Sequence, residues 1–269
     1  MLAITWWRHY DLAMKTVLLA GGLGTRMREE TEYRPKPMVP IGAQPILWHI
    51  MKIYSSFNFQ DFIVCTGYKS EMIRQYFRDY QIANSDFTIK VGNANSLISH
   101  EALSETDWSV TIANTGIETM TGGRVFQARK YIGRETFMCT YGDGLANINL
   151  DELLGFHKSH GKIATITCVQ PPSRFGILNI NPKSEVLNFV EKPRIHDWVN
   201  GGFFVFEPEI FDYLDQNSVL EQEPLMRLAK EGQLMAYKHE GFWQPMDTYR
   251  ESQMLNQMWD SGEAPWKIW

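Results

Sequence analysis

The sequence has few cysteines, no long apolar run and no excess of basic residues, and each shortage excludes a class of protein. Three cysteines (Cys65, Cys139 and Cys168) each lie in an apolar run, which favours buried free thiols in a reducing compartment over a disulfide framework. No apolar run approaches the ~20 residues that span a bilayer. A net charge of −5 argues against a broad nucleic-acid-binding surface. We therefore expect a cytoplasmic protein without membrane insertion or a nucleic-acid partner.

The composition that remains is that of a folded α/β protein. With 44% hydrophobic and 21% charged residues, the 269-residue chain can bury a sizeable core, as one large domain or one with a small appendage. From Thr16 onward, apolar runs of strand length alternate with segments of helical periodicity. The predicted strands are 16–20, 62–66, 137–141, 164–169, 203–206 and 234–239, with a two-stranded excursion over 177–190. The predicted helices are 45–54, 70–80, 150–160, 209–214, 223–230 and a closing helix after Asp247.

This alternation predicts an α/β fold with a mainly parallel, mixed sheet and helices on both faces. Ser70 and Asn149 are predicted as helix N-caps, and Gly161 as a helix end. Ligands of such sheets bind at the carboxyl ends of the strands. The residues that follow each strand are therefore the first place to look for a site.

The first 14 residues fit poorly with the rest of the chain. They contain three aromatic residues, but their apolar stretch is short and no basic segment precedes it, which argues against a signal peptide. We predict an N-terminal extension over residues 1–14 and one domain over 15–269. Two interpretations stay open: an extension without a role, with Met14 as the natural start, or a segment whose aromatics cover a neighbouring surface.

Two phosphate-suited elements follow the first strand. Gly21, Gly22 and Gly24 let the backbone approach a ligand and point N–H groups at anionic oxygens, and Arg26 adds a forked donor. The spacing matches neither the dinucleotide loop nor the P-loop, so these glycines taken alone also suit an ordinary turn. Ten residues later Lys36 stands between two prolines that restrict its backbone. A solvated proline-rich loop is the alternative for that segment.

Two acidic residues follow later strands. Asp143 lies between two glycines just past a strand, and Asp247 precedes the last helix. Two converging carboxylates are what Mg²⁺ needs when it also binds phosphates. Each residue has an ordinary alternative, Asp143 in a turn and Asp247 as a helix N-cap. Their spacing in the sequence leaves open whether they meet.

The run Gly21-Gly22-x-Gly24-Thr25-Arg26, followed by Pro35-Lys36-Pro37, resembles the signature of the sugar-1-phosphate nucleotidylyltransferases. The resemblance implies a Rossmann-like nucleotidyltransferase domain whose loop wraps a nucleoside triphosphate. It implies that Arg26 and Lys36 are catalytic, Arg26 at the β- and γ-phosphates and Lys36 at the α-phosphate, and that Asp143 and Asp247 hold Mg²⁺. The implied nucleotide-binding residues are Leu19, Ala20, Gly21, Gly22, Gly24, Thr25, Arg26, Lys36, Thr115, Gly122, Gly123, Gly142 and Asp143.

Three further segments lie where this family has its sugar-phosphate pocket, within about residues 171–247. They are Arg174-Phe175-Gly176, Glu191-Lys192-Pro193 and Asn200-Gly201-Gly202. In that pocket we expect Lys192 to be the cation for the sugar phosphate, Glu191 and Asn200 to be partners for hydroxyl groups, and Gly176 and Gly201 to permit close approach. Without the resemblance, an ordinary hairpin with an exposed ion pair would explain the same residues.

Longer tracts resemble the glucose-1-phosphate cytidylyltransferase branch of the family. They are 34–39, 46–52, 120–124, 170–172, 241–248 and 264–269. This resemblance implies that CTP and α-D-glucose 1-phosphate give CDP-glucose and pyrophosphate. It also implies that CDP-glucose is used to make the dideoxy sugars of surface polysaccharides such as the lipopolysaccharide O-antigen. The protein is then expected to be a homo-oligomer. One departure is that Ala113-Asn114 precedes Thr115-Gly116, where the family often has an aspartate.

Several alternatives stay open at this point. Uridylyl or thymidylyl transfer differs from cytidylyl transfer by only one or two pocket contacts. A non-catalytic sugar-nucleotide sensor would keep the fold, but we would expect it to have lost Lys36 or one of the two aspartates. A nicotinamide-dependent dehydrogenase needs a loop that is not present here. His157 and His160 are interpreted as a solvated or half-buried pair rather than a metal site, and the terminal tryptophans as packing or interface residues.

Overall fold

A computed structural model describes residues 14–92, 96–100, 105, 107–173 and 175–269 of the chain. The predicted extension up to residue 13, and Arg174, lie outside the described residues.

The strands are β1 (Lys15–Ala20), β2 (Pro40–Ile41), β3 (Gln44–Pro45), β4 (Asp61–Thr66), β5 (Phe87–Thr88), β6 (Ile98–Ser99), β7 (Ser109–Asn114), β8 (Phe137–Tyr141), β9 (Gly144–Ala146), β10 (Ala164–Val169), β11 (Ile177–Ile180), β12 (Val186–Val190), β13 (Val199–Phe206), β14 (Leu234–Lys238) and β15 (Trp243–Pro245). The α-helices are α1 (Arg28–Thr31), α2 (Ile46–Ser55), α3 (Ser70–Arg78), α4 (Tyr80–Ala83), α5 (Thr121–Ile132), α6 (Leu150–His160), α7 (Glu223–Lys230) and α8 (Tyr249–Asp260), with 3₁₀ turns over Thr25–Met27, Lys36–Met38 and Pro208–Tyr213.

The central sheet has seven strands in the order β14-β10-β13-β8-β1-β4-β7. Strand β13 runs antiparallel to both of its neighbours, β10 and β8. The pairs β8–β1, β1–β4, β4–β7 and β10–β14 are parallel. The predicted α/β fold with a mainly parallel, mixed sheet is confirmed. Because β8, β1, β4 and β7 point the same way, the loops that follow them share one edge of the sheet.

Two apolar layers cover the two faces of this sheet. Along β1, Leu18 and Ala20 pack with residues of α2, α6 and α8, whereas Val17 and Leu19 pack with residues of α5 and α7. Successive side chains of a strand point to opposite faces, so a strand that is buried on both faces is a continuous apolar run. This burial explains the uninterrupted apolar run of β1, after which the chain emerges at the carboxyl edge as a glycine-rich loop.

Most predicted elements agree with the structure. Asn149 caps α6, because its side chain accepts a hydrogen bond from the Glu152 N–H at 3.1 Å, and Gly161 ends that helix in the left-handed region. The excursion over 177–190 is the antiparallel pair β11–β12. Cys65, Cys139 and Cys168 are buried free thiols. Within the described ranges, no helix has the length and apolarity that a membrane span requires.

Two predictions of local structure were wrong. Lys69, in the left-handed region, is the N-cap of α3, and Ser70 is its first helical residue. The predicted helix 70–80, with Ile73, Tyr76, Phe77 and Tyr80 as its apolar face, ends at Arg78, so Tyr80 begins a separate helix and Ile73 is the fully buried residue of α3. The helix predicted over 209–214, directly after β13, is a 3₁₀ turn over Pro208–Tyr213. The left-handed conformation of Lys69 sets the start of α3, and Pro208 begins the 3₁₀ turn.

The terminal tryptophans pack in the core rather than forming a surface. Trp266 is fully buried, and Trp259 and Trp269 pack against the same apolar layer. His49 lies among these rings, with its Nε2 2.9 Å from the Ile41 carbonyl oxygen. Burial lowers the pKa of His49 to about 4, so this histidine is neutral at physiological pH.

Two helical glycines provide a matched pair for a stability prediction. A Cβ at Gly123 in α5 would lie 2.3 Å from the Gln216 carbonyl oxygen, whereas a Cβ at Gly155 in α6 would meet nothing within 4 Å. We expect Gly123→Ala to lower the free energy of unfolding by about 1–3 kcal/mol. Gly155→Ala is expected to raise it by about 0.5–1 kcal/mol, since alanine is the better helix former. Urea unfolding measures both, and equal effects would contradict the packing assigned to Gly123.

Candidate active site

The glycine-rich loop leaves β1 at the carboxyl edge of the sheet and is held by its own short helix. Gly24 has φ 63°, and a Cβ there would lie 2.6 Å from the Thr31 Cγ2, so only glycine fits. The Thr31 hydroxyl lies 3.0 Å from the Gly24 carbonyl oxygen and 2.9 Å from that of Met27. These contacts fix the loop so that Arg26 projects from it with most of its side chain exposed.

A short antiparallel pair brings the two acidic residues together. Strands β9 and β15 place Gly144 opposite Pro245, and the Met246 N–H donates to the Asp143 carbonyl at 2.8 Å. Asp143 and Asp247 therefore lie side by side although more than a hundred residues separate them. The local sequence of each gives no sign of this pairing, because β9 and β15 have only three residues each.

Asp247 is not the cap of the last helix. Thr248 is the N-cap of α8 and forms a capping box with Glu251, whose carboxylate also accepts the Asp247 backbone N–H at 2.7 Å. The alternative that assigned Asp247 to helix capping was therefore wrong. Its carboxylate is available to the basic side chains of the site.

Lys36 lies between the two carboxylates. Its Nζ is 2.6 Å from Asp143 Oδ2 and 2.6 Å from Asp247 Oδ1, and Arg26 Nη1 is 2.9 Å from Asp247 Oδ2. Burial by itself lowers the pKa of Lys36, but the neighbouring carboxylates outweigh burial and raise its pKa above the ordinary value. Lys36 therefore carries its positive charge at neutral pH although its side chain is only 10% exposed.

A cleft of about 220 Å³ opens over this cluster. Its lining residues are Leu19, Ala20, Gly22, Gly24, Thr25, Arg26, Lys36, Pro37, Gly142 and Asp143. All of them except Pro37 are residues that the sequence implied for nucleotide binding. The structure thus gathers, in one cleft, a glycine-rich backbone, two cations and a carboxylate. This combination suits a polyphosphate together with a divalent cation.

The donor set fits magnesium that is bound together with a substrate phosphate. Asp143 and Asp247 each place an oxygen within 2.6 Å of one atom, so one small cation can reach both. Among the residues that the structure describes, no group of three or more His, Cys, Asp or Glu could hold a metal ion. Mg²⁺ commonly uses one or two carboxylates and completes its octahedron with phosphate oxygens and water.

Four implied nucleotide-binding residues, Gly21, Thr115, Gly122 and Gly123, are not among the residues that line the cleft. The Thr115 hydroxyl is buried and donates to the Thr66 carbonyl at 2.9 Å. Gly122 and Gly123 open α5 and pack against the 216–218 segment, where the Gly123 N–H donates to the Ser218 carbonyl at 2.9 Å. The structure gives these two glycines a packing function at the start of the helix.

Arg124 connects three loops of the carboxyl edge. It is buried on α5, and burial lowers its pKa below the usual value. Within the described residues its guanidinium donates to neutral oxygens, namely Thr66 O at 3.2 Å, Thr115 Oγ1 at 2.7 Å, Gly116 O at 2.9 Å, Gly21 O at 2.9 Å and Ile117 O at 3.3 Å. The loops after β1, β4 and β7 are thereby joined. The tract 120–124 was singled out for its resemblance, but a buried arginine cannot be distinguished from an exposed one by sequence.

Replacing Arg124 should affect both stability and nucleotide affinity. Arg124→Met keeps the length of the side chain but leaves the loop carbonyls without their donor, so we expect a loss of about 2 kcal/mol in the free energy of unfolding. If the cleft binds a nucleotide, KM for that nucleotide should rise about ten-fold while kcat changes less. Arg129→Met, on the exposed part of the same helix, is the control. A lower stability with an unchanged KM would limit Arg124 to a structural role.

The implied sugar-phosphate residues fall into two groups. Asn200 lies on β13 with Gly201, and its Nδ2 donates to the Tyr141 hydroxyl at 3.0 Å, next to the cleft residues 142 and 143. Glu191 and Lys192 lie just beyond β12, 3.6 Å apart and about half exposed, and form the exposed ion pair that the sequence left as an alternative. The structure thus brings Asn200 and Gly201 close to the cleft and leaves the other pair exposed.

The two histidines of α6 belong to a hydrogen-bonded network. The Thr165 hydroxyl lies 2.8 Å from a ring nitrogen of His157 and 2.8 Å from one of His160, and His157 Nε2 is 3.0 Å from Glu207. His157 is buried, and burial lowers its pKa. His157 is therefore more buried than predicted, since we expected the two histidines to be solvated or half-buried. Its ring is used in packing and hydrogen bonding.

Comparisons with known proteins agree with this geometry. A family model described as nucleotidyl transferase matches residues 15–248. The chain is 48% identical over 259 residues to the glucose-1-phosphate cytidylyltransferase of Salmonella typhimurium, and 46% identical over 260 residues to a probable glucose-1-phosphate cytidylyltransferase of Bacillus subtilis. Each alignment covers 95% of this chain and 100% of the relative.

The fold is shared with more distant proteins. A crystal structure of a UDP-glucose pyrophosphorylase in complex with UDP-glucose superimposes with a TM-score of 0.66 at 17% identity, over 93% of this chain and 99% of that one. The match to the family model confirms the resemblance that the sequence motifs indicated. The relatives that align over their whole length confirm it as well. The cleft, the paired aspartates and these matches together place the chain in the nucleotidyl transferase family.

Proposed function

We propose that the protein transfers a cytidylyl group from CTP to α-D-glucose 1-phosphate and releases CDP-glucose and pyrophosphate. The observation that carries the proposal is the cluster of Lys36, Asp143, Asp247 and Arg26, three members of which line the glycine-rich cleft. The choice of CTP and glucose 1-phosphate is supported by the names of relatives that match along their whole length. UTP and dTTP are the alternatives.

The reaction is an in-line displacement at the α-phosphorus of CTP. An oxygen of the sugar phosphate forms a bond to that phosphorus while the bond to the bridging oxygen of the β-phosphate breaks, and the electron pair leaves with pyrophosphate. The attacking phosphate is already ionised at neutral pH, so no side chain has to accept a proton. Catalysis then consists of positioning the substrates and neutralising charge.

The residues of the cleft divide this work. The N–H groups of Gly21, Gly22 and Gly24 bind the phosphates, and Arg26 contacts the β- and γ-phosphates. Lys36, whose charge is secured by its neighbours, stabilises the charge that develops on the α-phosphate. When Mg²⁺ is bound by Asp143 and Asp247, it supplies further charge neutralisation on the phosphate oxygens.

The sugar phosphate is assigned to the segment of about 171–247, within a domain that covers 15–269. Asn200 and Gly201 on β13 bind the sugar next to the cleft, and Gly176, Glu191 and Lys192 bind it from the hairpin side. Lys192 is the cation for its phosphate. We further propose that the protein acts as a homo-oligomer in the cytoplasm and that its product supplies the dideoxy sugars of surface polysaccharides such as the O-antigen.

The test is pyrophosphate release with glucose 1-phosphate and Mg²⁺, with CTP, UTP, dTTP, ATP and GTP compared side by side. We expect release with CTP to exceed release with each other nucleotide by at least about ten-fold, because pocket contacts to one base discriminate on this scale. Preference for another nucleotide would keep the reaction class and overturn the choice of base. If folded protein released no pyrophosphate with any nucleotide or with any of a panel of sugar phosphates, the result would favour a binding module without catalytic activity over an enzyme.

A further inference from the structure

We propose that Lys36 and Arg26 are internal counter-ions which occupy the two aspartates and prevent a divalent cation from binding to them until a nucleotide binds. The phosphates of the nucleotide then attract both basic groups away from the carboxylates, which become able to bind the metal. Metal and nucleotide would therefore bind cooperatively, and the free protein would bind the metal poorly. The proposal rests on the proposed function, since it assigns the cleft to a nucleotide.

The geometry places the ammonium where the metal has to be. Lys36 Nζ is 2.6 Å from an oxygen of Asp143 and 2.6 Å from an oxygen of Asp247, so the space between the carboxylates is filled by the ammonium group. The second oxygen of Asp247 is taken by Arg26 at 2.9 Å. A cation that binds oxygens at about 2.0–2.1 Å cannot enter this space until Nζ leaves it.

The backbone of Lys36 holds the side chain at this place. Lys36 is buried and opens a 3₁₀ turn between two prolines, in which the Met38 N–H donates to the Pro35 carbonyl at 2.8 Å. The restricted backbone and the buried stem keep the ammonium near the two carboxylates in the free protein, so it stays between them until a new anionic partner attracts it.

The charges explain why a nucleotide can open the site when a metal ion alone cannot. Two cations and two carboxylates form a neutral cluster, so an incoming divalent ion would have to displace or approach two positive groups in a partly buried place. A triphosphate offers new anionic partners to Arg26 and Lys36. Once these have moved, the aspartates are left with uncompensated negative charge that attracts the metal, and such coupling is reciprocal.

Binding of Mn²⁺ to the full chain without nucleotide, followed by electron paramagnetic resonance, tests the proposal. We expect Lys36→Met to bind one Mn²⁺ at least about ten-fold more tightly than the wild type, since one ion pair of modest strength corresponds to this factor. Lys230→Met, at the exposed end of α7, is the control and should bind as the wild type does. The gain should disappear in the double variant with Asp143→Asn. Circular dichroism checks that each variant is folded.

Two results would overturn the proposal: Mn²⁺ binding by the wild type as tight as by Lys36→Met, or a gain that survives Asp143→Asn. If Lys36→Met does not fold, Arg26→Gln can be tested instead, because it replaces an exposed side chain. We expect a smaller gain in Mn²⁺ affinity from this variant, since it also removes one counter-ion from Asp247. The readout needs no turnover, so it can be separated from the proposed function. A gain in Mn²⁺ affinity together with no pyrophosphate release from any nucleotide would reject the function and leave the closed state of the free protein standing.

Discussion

Replacing Lys36 by alanine should lower kcat by about a thousand-fold. In the proposed reaction, this ammonium neutralises charge that appears on the α-phosphate only as the transition state forms, and removal of such a group affects kcat more than KM. The fold should survive, because Asp247 keeps its contact with Arg26 and the Asp143 side chain is 28% exposed. We expect a loss of no more than about 2 kcal/mol in the free energy of unfolding.

Two variants make this prediction specific. Lys36→Arg keeps the charge but replaces a compact ammonium by a planar fork in a buried position, so it should restore only part of the activity. Lys230→Ala removes an exposed lysine at the end of α7 and should leave kcat unchanged. Steady-state pyrophosphate release with CTP and glucose 1-phosphate measures all three. Turnover of Lys36→Ala at the wild-type level would refute the role of Lys36.

The second large effect is expected for Asp143→Asn. The amide has the shape of the carboxylate but neither its charge nor its affinity for Mg²⁺, so half-saturation should require at least about ten times more Mg²⁺ and kcat should fall about a hundred-fold. The local fold depends on the main chain, since the Asp143 carbonyl accepts the Met246 N–H at 2.8 Å, and this contact remains.

A titration of activity against Mg²⁺, at a fixed excess of CTP, checks the effect. Asp247→Asn should behave in the same way, because both carboxylates contact the same point, which Lys36 Nζ occupies. Asp260→Asn, at the exposed end of α8, is the matched control. If the Asp143→Asn titration coincided with that of the wild type, Asp143 would not be a metal ligand.

Strand positions follow from local pattern in this chain. β8 (Phe137–Tyr141) and β10 (Ala164–Val169) lie where the apolar runs predicted them, because a strand that is covered on both faces is a largely apolar run. Asn149 and Gly161 bound α6 as predicted, since capping depends on neighbours within a few residues. The start of α3 was wrong because Lys69 adopts a left-handed conformation that residue type does not disclose.

The chemistry of the cleft was also accessible from short motifs. Glycines that follow a buried strand, a lysine between prolines and an aspartate between glycines each specify a local backbone and a local charge. The residues around Asp247 do not themselves specify that it meets Asp143, which only the family resemblance implied, and no motif specifies that Arg124 is buried next to the loop that begins at Gly21. Those contacts depend on the order of the strands.

The sequence by itself determined the α/β class, most strand positions, the glycine-rich loop and the residues that carry charge in it, because periodicity, capping and loop chemistry act over a few neighbouring residues. Only the tertiary structure decided which charges meet. The antiparallel pair β9–β15 sets Asp247 beside Asp143. Lys36 lies between these two aspartates, although more than a hundred residues of the chain separate it from each of them. Coulomb interactions depend on distance in space, and strand pairing, which joins remote segments, sets that distance.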